Sequence, residues 1–222
     1  VSEERAKLIY GMGCKSVSLG FESGNEDFRM NNLNKRVTSA RALKSFHILA
    51  DVGIRTVAFN LIGFPHETRD LIFDTVEFMR QARVHSPSIG FVYPFKGTTL
   101  REKVISEKSF DPSIEEYGTA QWGRASPVIR NQNITVEEYK GLFRTFILYC
   151  KLPKKYWNDL RIAEKETDEG NRMFQLYKDI YNHEYRDKSC GEDERVKYVP
   201  ALERDMPRPM EAVLDAAFPH ST

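Results

Sequence analysis

Three positions suited to ligand chemistry stand directly after apolar runs of the sequence. Glu22 offers a carboxylate that accepts hydrogen bonds, Gly63 leaves its backbone open to close approach, and Tyr93 offers an aromatic ring. The preceding runs alternate with helical patterns, which is typical of parallel βαβ units. Such sheets carry their ligand chemistry just past the carboxyl ends of the strands. We therefore expect the functional site around these three positions.

Cysteines and histidines give no metal site by their spacing. Cys14, Cys150 and Cys190 are an odd number and lie far apart, so they form neither a disulfide framework nor a zinc site. Cys14 and Cys150 are expected to be small buried residues. The five histidines show no metal-ligand spacing. We assign no metal ligand to this chain.

Composition sets the class of the protein. The chain has 222 residues, 41% hydrophobic and 29% charged, which is enough for one sizeable core and an appended helical region. A formal charge of +1 predicts no nucleic-acid surface. No signal-peptide pattern opens the chain and no apolar stretch is long enough for a bilayer, so we expect no membrane partner and a cytoplasmic protein.

The pattern predicts the elements that position the site. Strands are expected over Lys15–Phe21, Arg55–Ile62 and Ser88–Tyr93, with Pro94 ending the last one. A first helix, Glu3–Gly13, is expected to turn Leu8 and Ile9 inward. Helix starts are predicted at Asn25, Thr38 and Thr68, and capping boxes at Thr99 with Glu102 and at Thr135 with Glu138.

Beyond Phe110 the pattern is helical and contains no convincing strand. Helices are expected after Thr135 (ending before Pro153), around Tyr156 to Lys165, and through an aromatic stripe from Met173 to Tyr181, which we interpret as core packing. The sequence thus predicts three parts: 1–109 with three parallel βα units, 110–190 as a helical extension, and 191–222 as an extended or weakly ordered tail. A sheet of three strands leaves a long edge, and we expect a missing part before Val1. By this interpretation the chain is a fragment or a truncated gene product.

Four motifs in register resemble a known family. They are Val17-Ser-Leu-Gly-Phe-Glu-Ser-Gly24, Leu33-Asn-Lys35 with Thr38, Leu61-Ile-Gly-Phe-Pro-His-Glu-Thr68 and Tyr93-Pro-Phe-Lys-Gly-Thr-Thr-Leu100. Together they resemble the second half of the radical SAM barrel, and over Glu3 to Glu107 the chain is most similar to radical SAM proteins with a cobalamin-binding domain. Methyltransferase-like and methylthiotransferase-like members belong to that group.

The resemblance implies a fold, a ligand and a set of contacts. The fold is an α/β C-terminal half of a partial (β/α)₆ barrel, which binds S-adenosylmethionine (SAM) across its open rim. An iron–sulfur cluster of the 4Fe–4S type reduces that ligand to a radical, and cobalamin is a further cofactor of the group. Glu22 matches the ribose contact and Lys35 the contact to the ligand's carboxylate. The remaining cofactor-binding candidates are Ser23 beside the ribose and Leu61, Ile62, Gly63 and Tyr93 around the adenine.

Structural alternatives stay open for most of these residues. The alternative role for Glu22 is to cap the next helix or to pair with a lysine, and the alternative for Lys35 is that of a solvated surface residue. The turn is the simpler role for Ser23, and core packing competes for Leu61 and Ile62. The sequence also departs from the family pattern at Arg36, His66 and Lys96, where glycine, glycine and proline are usual.

One family feature is absent from this sequence. The cluster is held by a Cys-x₃-Cys-x₂-Cys run, and the three cysteines here do not reproduce it. We therefore assign no catalytic residue and predict that the isolated chain binds no 4Fe–4S cluster. The missing half-barrel is then a partner. A further partner is a substrate that the sequence does not identify, and we expect its contacts at Gly118 to Arg130 and in the missing half. The alternatives are a non-catalytic remnant acting as a binding or interaction module, and an unrelated TIM-barrel half, which the lack of a phosphate cradle disfavours.

Overall fold

A parallel sheet of three strands forms the centre of the N-terminal part. The computed structural model describes residues 1–113 and 126–185. Its strands are β1 (Ser16–Glu22), β2 (Arg55–Ile62) and β3 (Ser86–Phe91), in the order β1-β2-β3. Both strand pairs are parallel. The predicted α/β class with three parallel βα units is therefore confirmed.

The bounds of β2 agree with the prediction, whereas those of β3 do not. β3 begins two residues earlier than expected, because Pro87 lies inside it opposite Ala58, and it also ends two residues earlier, at Phe91. Proline is tolerated on an edge strand, where one side of the backbone has no ladder partner. The Val92 N–H still donates to the Ile62 carbonyl at 2.8 Å, and the chain then leaves the sheet. Tyr93 consequently lies two residues past the strand end.

Eight α-helices surround or follow the sheet in the described residues. They are α1 (Glu3–Gly11), α2 (Glu26–Asn32), α3 (Ser39–Val52), α4 (Arg69–Gln81), α5 (Thr99–Ser106), α6 (Val136–Lys151), α7 (Trp157–Ala163) and α8 (Asp168–Ile180). A 3₁₀ turn at Lys154–Tyr156 precedes α7, and a π-helical turn at Tyr181–Tyr185 follows α8. None of these helices is both long and apolar enough to cross a membrane.

Most predicted helix starts are confirmed, and one is wrong. The side chains of Asn25, Thr38 and Thr68 accept the expected backbone N–H bonds, and Thr135 with Glu138 forms the capping box. The Thr99–Glu102 box does not form. Thr98 is the N-cap instead, because its hydroxyl donates to the Phe95 carbonyl at 2.7 Å and fixes the turn one residue earlier.

The core joins the sheet to the helical region. One cluster contains Phe21 of β1 and Val76 of α4 together with Phe146 of α6 and Tyr177 of α8. The aromatic stripe of α8 is thus core packing, as predicted. The described parts of 1–109 and 110–190 share this cluster, and the predicted domain boundaries remain predictions. The predicted tail, 191–222, lies outside the described residues.

Two burial predictions near the N-terminus are wrong. Leu8 is 64% exposed, because α1 packs on α3 through Ala6, Ile9 and Tyr10 on its opposite side. Cys14 is only partly buried, and its Sγ donates to the Ser16 carbonyl at 3.3 Å. Cys150 on α6 is buried as expected, and Cys190 lies outside the described residues.

Candidate functional site

The carboxyl ends of the three strands lie side by side at one edge of the sheet. Glu22 pairs with Asn60 across the β1–β2 ladder, and Ile62 pairs with Phe91 across the β2–β3 ladder. The ladder is irregular between Gly20 and Glu22, and Glu22 has a φ of 77°. This left-handed conformation is uncommon for glutamate and is found mainly where a site or turn requires it. The backbone of β1 therefore turns its last side chain out of the strand's regular alternation.

Glu22 and Lys35 form an ion pair above the end of β1. The Lys35 Nζ donates to Glu22 Oε1 at 3.0 Å and also to the Gly20 carbonyl. Both side chains are partly exposed, at 34% for Lys35 and 25% for Glu22. The structure thus brings these two predicted residues together. It also shows the lysine pairing that was the alternative role for Glu22.

Arg29 connects the two segments that carry this pair. Its guanidinium is fully buried and donates to the Ser23 carbonyl at 2.7 Å and to Ser39 Oγ at 2.8 Å. It also stacks over the Phe21 ring, 4.4 Å from the centroid. Burial lowers the pKa of Arg29 from its usual value, yet an arginine of this kind stays charged. Ser23 is itself buried, and its carbonyl anchors this bridge, which agrees with a role in the turn.

Gly63 begins the loop after β2. Its φ of 90° is left-handed, and an added Cβ would lie 3.4 Å from the Phe91 ring and 3.6 Å from Pro127. Leu61 is half-buried and packs against the cluster of Phe64 and Val92, whereas Ile62 is buried with Ile72 and Leu142. Ile62 therefore occupies the core position that the sequence left open as its alternative.

Tyr93 and its hydroxyl lie beyond β3. The ring is buried and contacts Phe95 and Phe110 edge-on. Its hydroxyl has no hydrogen-bond partner among the described residues. A buried polar atom without a partner normally has a water or ligand to satisfy it. Tyr93 is thus placed near the strand ends with one unused donor.

Glu67 is the functional candidate that sequence reasoning missed. Its carboxylate is buried and accepts hydrogen bonds from the Gly63 N–H at 2.7 Å and from the Tyr139 hydroxyl at 3.1 Å. Burial raises the pKa of Glu67 to about 7, against the opposing effect of these hydrogen bonds. Glu67 follows the turn at Pro65, and nothing in the sequence around it indicated that its side chain would be buried.

The three departures from the family pattern lie outside these contacts. His66 has a φ of 59°, in the left-handed region where glycine is favoured, and its ring lies 3.3 Å from Glu107. Lys96 and Arg36 are both exposed. The loop therefore accommodates His66 in the conformation that the usual glycine would adopt.

The donor set of this chain suits an organic nucleoside better than an iron–sulfur cluster. A carboxylate, an ammonium, an open backbone turn and an unused hydroxyl fit a ligand with a diol and a carboxylate. In residues 1–113 and 126–185, no group of three or more His, Cys, Asp or Glu side chains could hold a metal ion. A 4Fe–4S cluster needs several thiolate ligands, and the part of the chain that the structure describes contains two cysteines, Cys14 and Cys150.

Comparisons with known proteins agree with the N-terminal motifs. The model of the family described as Radical SAM superfamily matches residues 1–79. A protein named as an uncharacterized methyltransferase, from Pyrococcus horikoshii, is 24% identical over 160 residues, which is 72% of this chain and 34% of that protein. The bacteriochlorophyllide d C-12(1)-methyltransferase of Chlorobaculum tepidum is 29% identical over 103 residues, 46% of this chain and 22% of that enzyme. The chain thus spans about a third or less of the length of each.

Proposed function

Because the match over residues 1–79 confirms the resemblance to the radical SAM superfamily, we propose that this chain carries one side of a SAM site. It would contact the ribose, the adenine and the carboxylate of SAM in a radical SAM enzyme. The observation that carries this proposal is the Glu22–Lys35 pair at the carboxyl end of β1, on a left-handed Glu22. Strand ends are where parallel sheets hold their ligands.

The sheet would form the second half of a partial (β/α)₆ barrel in a longer protein. β2 supports this proposal because its residues alternate between buried and accessible, and Phe59 is 49% exposed. The much greater length of the two relatives is consistent with further chain that completes the barrel. That further chain would hold the 4Fe–4S cluster and, by the resemblance, cobalamin.

Each residue has a task that its chemistry allows. Glu22 would accept hydrogen bonds from the ribose diol, and Lys35 would meet the ligand's carboxylate as a point charge. These two side chains pair with each other here, so binding would exchange their mutual contact for contacts to SAM. Ser23 would support the turn, while Leu61, Gly63 and Tyr93 would border the adenine. When bound, the cluster supplies the electron that cleaves SAM.

Methyl transfer is the reaction class that we propose for the complete enzyme. Both relatives carry the word methyltransferase in their names. The substrate would contact the stretch from Gly118 to Arg130, most of which lies outside the described residues. Anaerobic turnover of the complete protein, with detection of 5′-deoxyadenosine and methylated product, tests this assignment.

Glu22→Ala in the complete protein tests the SAM contact. We expect SAM affinity to fall by about 1–3 kcal/mol, because a charged hydrogen-bond acceptor is lost. Glu77→Ala is the matched control, since it also removes the carboxylate of a lysine pair, with Lys154, but lies on α4. Calorimetry that finds equal affinity for both variants and the wild type would return Glu22 to a structural role. If the complete protein neither binds nor cleaves SAM, the non-catalytic binding module becomes the better description.

A further inference from the structure

The loop after β2 is fastened to the helical region by a buried polar network. Glu67 Oε2 accepts the Gly63 N–H from the start of this loop and the Tyr139 O–H from α6. One carboxylate oxygen therefore joins the first residue of the loop to a helix that begins more than 70 positions later in the chain.

Asn131 completes this network from the segment before α6. Its Nδ2 lies 3.0 Å from the carbonyls of Phe64 and Glu67 and 2.9 Å from the Tyr139 hydroxyl. Asn133 adds weaker contacts to the carbonyls of His66 and Glu67. The carbonyls of the loop are thus held by two asparagines, and its first N–H is held by Glu67.

The network has the character of a positioning device rather than an ion pair. In the described residues no lysine or arginine pairs with Glu67, and the titratable side chain that faces it is Tyr139. Burying a carboxylate without a cation is costly, so its retention calls for a specific hydrogen-bonding task. Here that task is to accept the N–H of a glycine in a left-handed conformation.

We propose that Glu67, held by Tyr139 and Asn131, is a positioning residue that sets the Gly63 loop for the purine base of the bound nucleoside. This inference rests on the proposed function, in which Gly63 borders the adenine. It adds that the helical region, through Tyr139, determines the geometry of a loop in the nucleoside site. The loop would contact the base of the nucleoside and not its ribose or its carboxylate.

Tyr139→Phe and Tyr149→Phe are a matched pair for the test. Both tyrosines lie buried on α6 and donate to a glutamate. The Tyr149 hydroxyl, however, donates to Glu164, the residue after α7, at 2.6 Å. Glu67→Gln is the rescue variant, because an amide oxygen can still accept the Gly63 N–H. Glu67→Leu is the variant without a hydrogen-bond acceptor. Circular dichroism checks that this variant folds.

Two measurements are made on each variant. Amide hydrogen exchange at Gly63 is followed by NMR in the 222-residue chain without ligand. Affinities for SAM and for the analogue with hypoxanthine in place of adenine are measured by calorimetry in the complete protein. The ratio of the two affinities isolates the base, since the ribose and methionine parts are the same.

We expect Tyr139→Phe and Glu67→Leu to speed exchange at Gly63 and to weaken SAM binding roughly tenfold, while binding of the analogue changes less. Tyr149→Phe and Glu67→Gln should stay near the wild type in both measurements. Equal affinity ratios for Tyr139→Phe and Tyr149→Phe would overturn the inference, as would unchanged exchange at Gly63. Wild-type protein that binds no SAM would overturn the proposed function as well, and the exchange data would then identify the network as a structural support only.

Discussion

Burial has the largest effect on the pKa of the Glu67 carboxylate. The hydrogen bonds from Gly63 and Tyr139 favour the charged carboxylate, but desolvation outweighs them and raises its pKa from 4.5 to about 7. An acid with a raised pKa binds its proton more tightly in the folded chain than in the unfolded chain. Its contribution to stability is therefore fully present below about pH 4.5 and is lost as pH rises through about 7.

Glu67→Gln should flatten this part of the stability profile. Between about pH 5 and pH 8 the wild type should lose about 2–3 kcal/mol of unfolding free energy through Glu67, at roughly 1.36 kcal/mol per pKa unit. Because Gln carries no titrating proton, the variant should lack this decrease. Urea denaturation at several pH values measures the difference between the two proteins. Parallel profiles would show that Glu67 titrates at an ordinary pKa.

The sequence predicted residues whose roles depend on local position and missed those whose roles depend on packing. Glu22 and Lys35 were predicted through motifs and do meet in the structure. Arg29 and Glu67 were not predicted, because a charged residue in a short helix or loop is normally solvated. Their burial results from α6 and the segment 33–39 folding back on them, which no local pattern shows.

For helices and strands too, the features that depend on local sequence were predicted and those that depend on tertiary contacts were not. Four N-caps were predicted correctly because a cap depends on a side chain and an N–H three residues away. The start of α5 was wrong because two neighbouring threonines compete, and the Phe95 carbonyl decides between them. The predicted start of β3 was wrong because β3 is an edge strand, and an edge strand can contain a proline such as Pro87. The sequence did not show this, because the order of strands in a sheet depends on tertiary structure.

The contact between α6 and α7 depends on a glycine that the sequence did not single out. An added Cβ at Gly141 would lie 2.6 Å from the Glu164 carbonyl oxygen, which is backbone and cannot rotate away. Gly141→Ala should therefore destabilise the chain by about 1–3 kcal/mol through overpacking.

Gly11→Ala is the control for that prediction. Gly11 ends α1, and nothing lies within 4 Å of an added Cβ. This change should be neutral or stabilise the chain by up to about 1 kcal/mol, because alanine favours a helix more than glycine does. Thermal unfolding of both variants checks the pair, and equal effects would show that α6 and α7 are not in close contact at Gly141.

At the scale of the whole molecule, the three-stranded parallel sheet was predictable from the sequence. Alternating apolar runs and helical patterns predicted three parallel units, and the structure has them in sequential order. Phe59 is 49% exposed, and under the proposed function a further half-barrel would cover it. Composition and periodicity carry no information about a segment that is not in the sequence, so the barrel remains a proposal.

The 222-residue chain should bind no stoichiometric 4Fe–4S cluster. Such a cluster needs several thiolates converging on one point, and the chain has three cysteines that are far apart in sequence. Cys150 is 2% exposed, and burial raises the pKa of its thiol, so it resists forming the thiolate that iron requires. Two cysteines then remain, which is fewer than the ligands of one cluster.

Anaerobic incubation with iron and sulfide, followed by absorbance and iron counting, measures this directly. Under the proposed function, a complete protein is the positive control and should take up a cluster under the same conditions, since its additional chain would supply the cysteine run. A stoichiometric cluster on the 222-residue chain alone would contradict the prediction and would require Cys150 to leave the core. Circular dichroism of the chain with iron and sulfide bound would detect this disruption, because Cys150 belongs to the group of buried core residues that joins the sheet to α8.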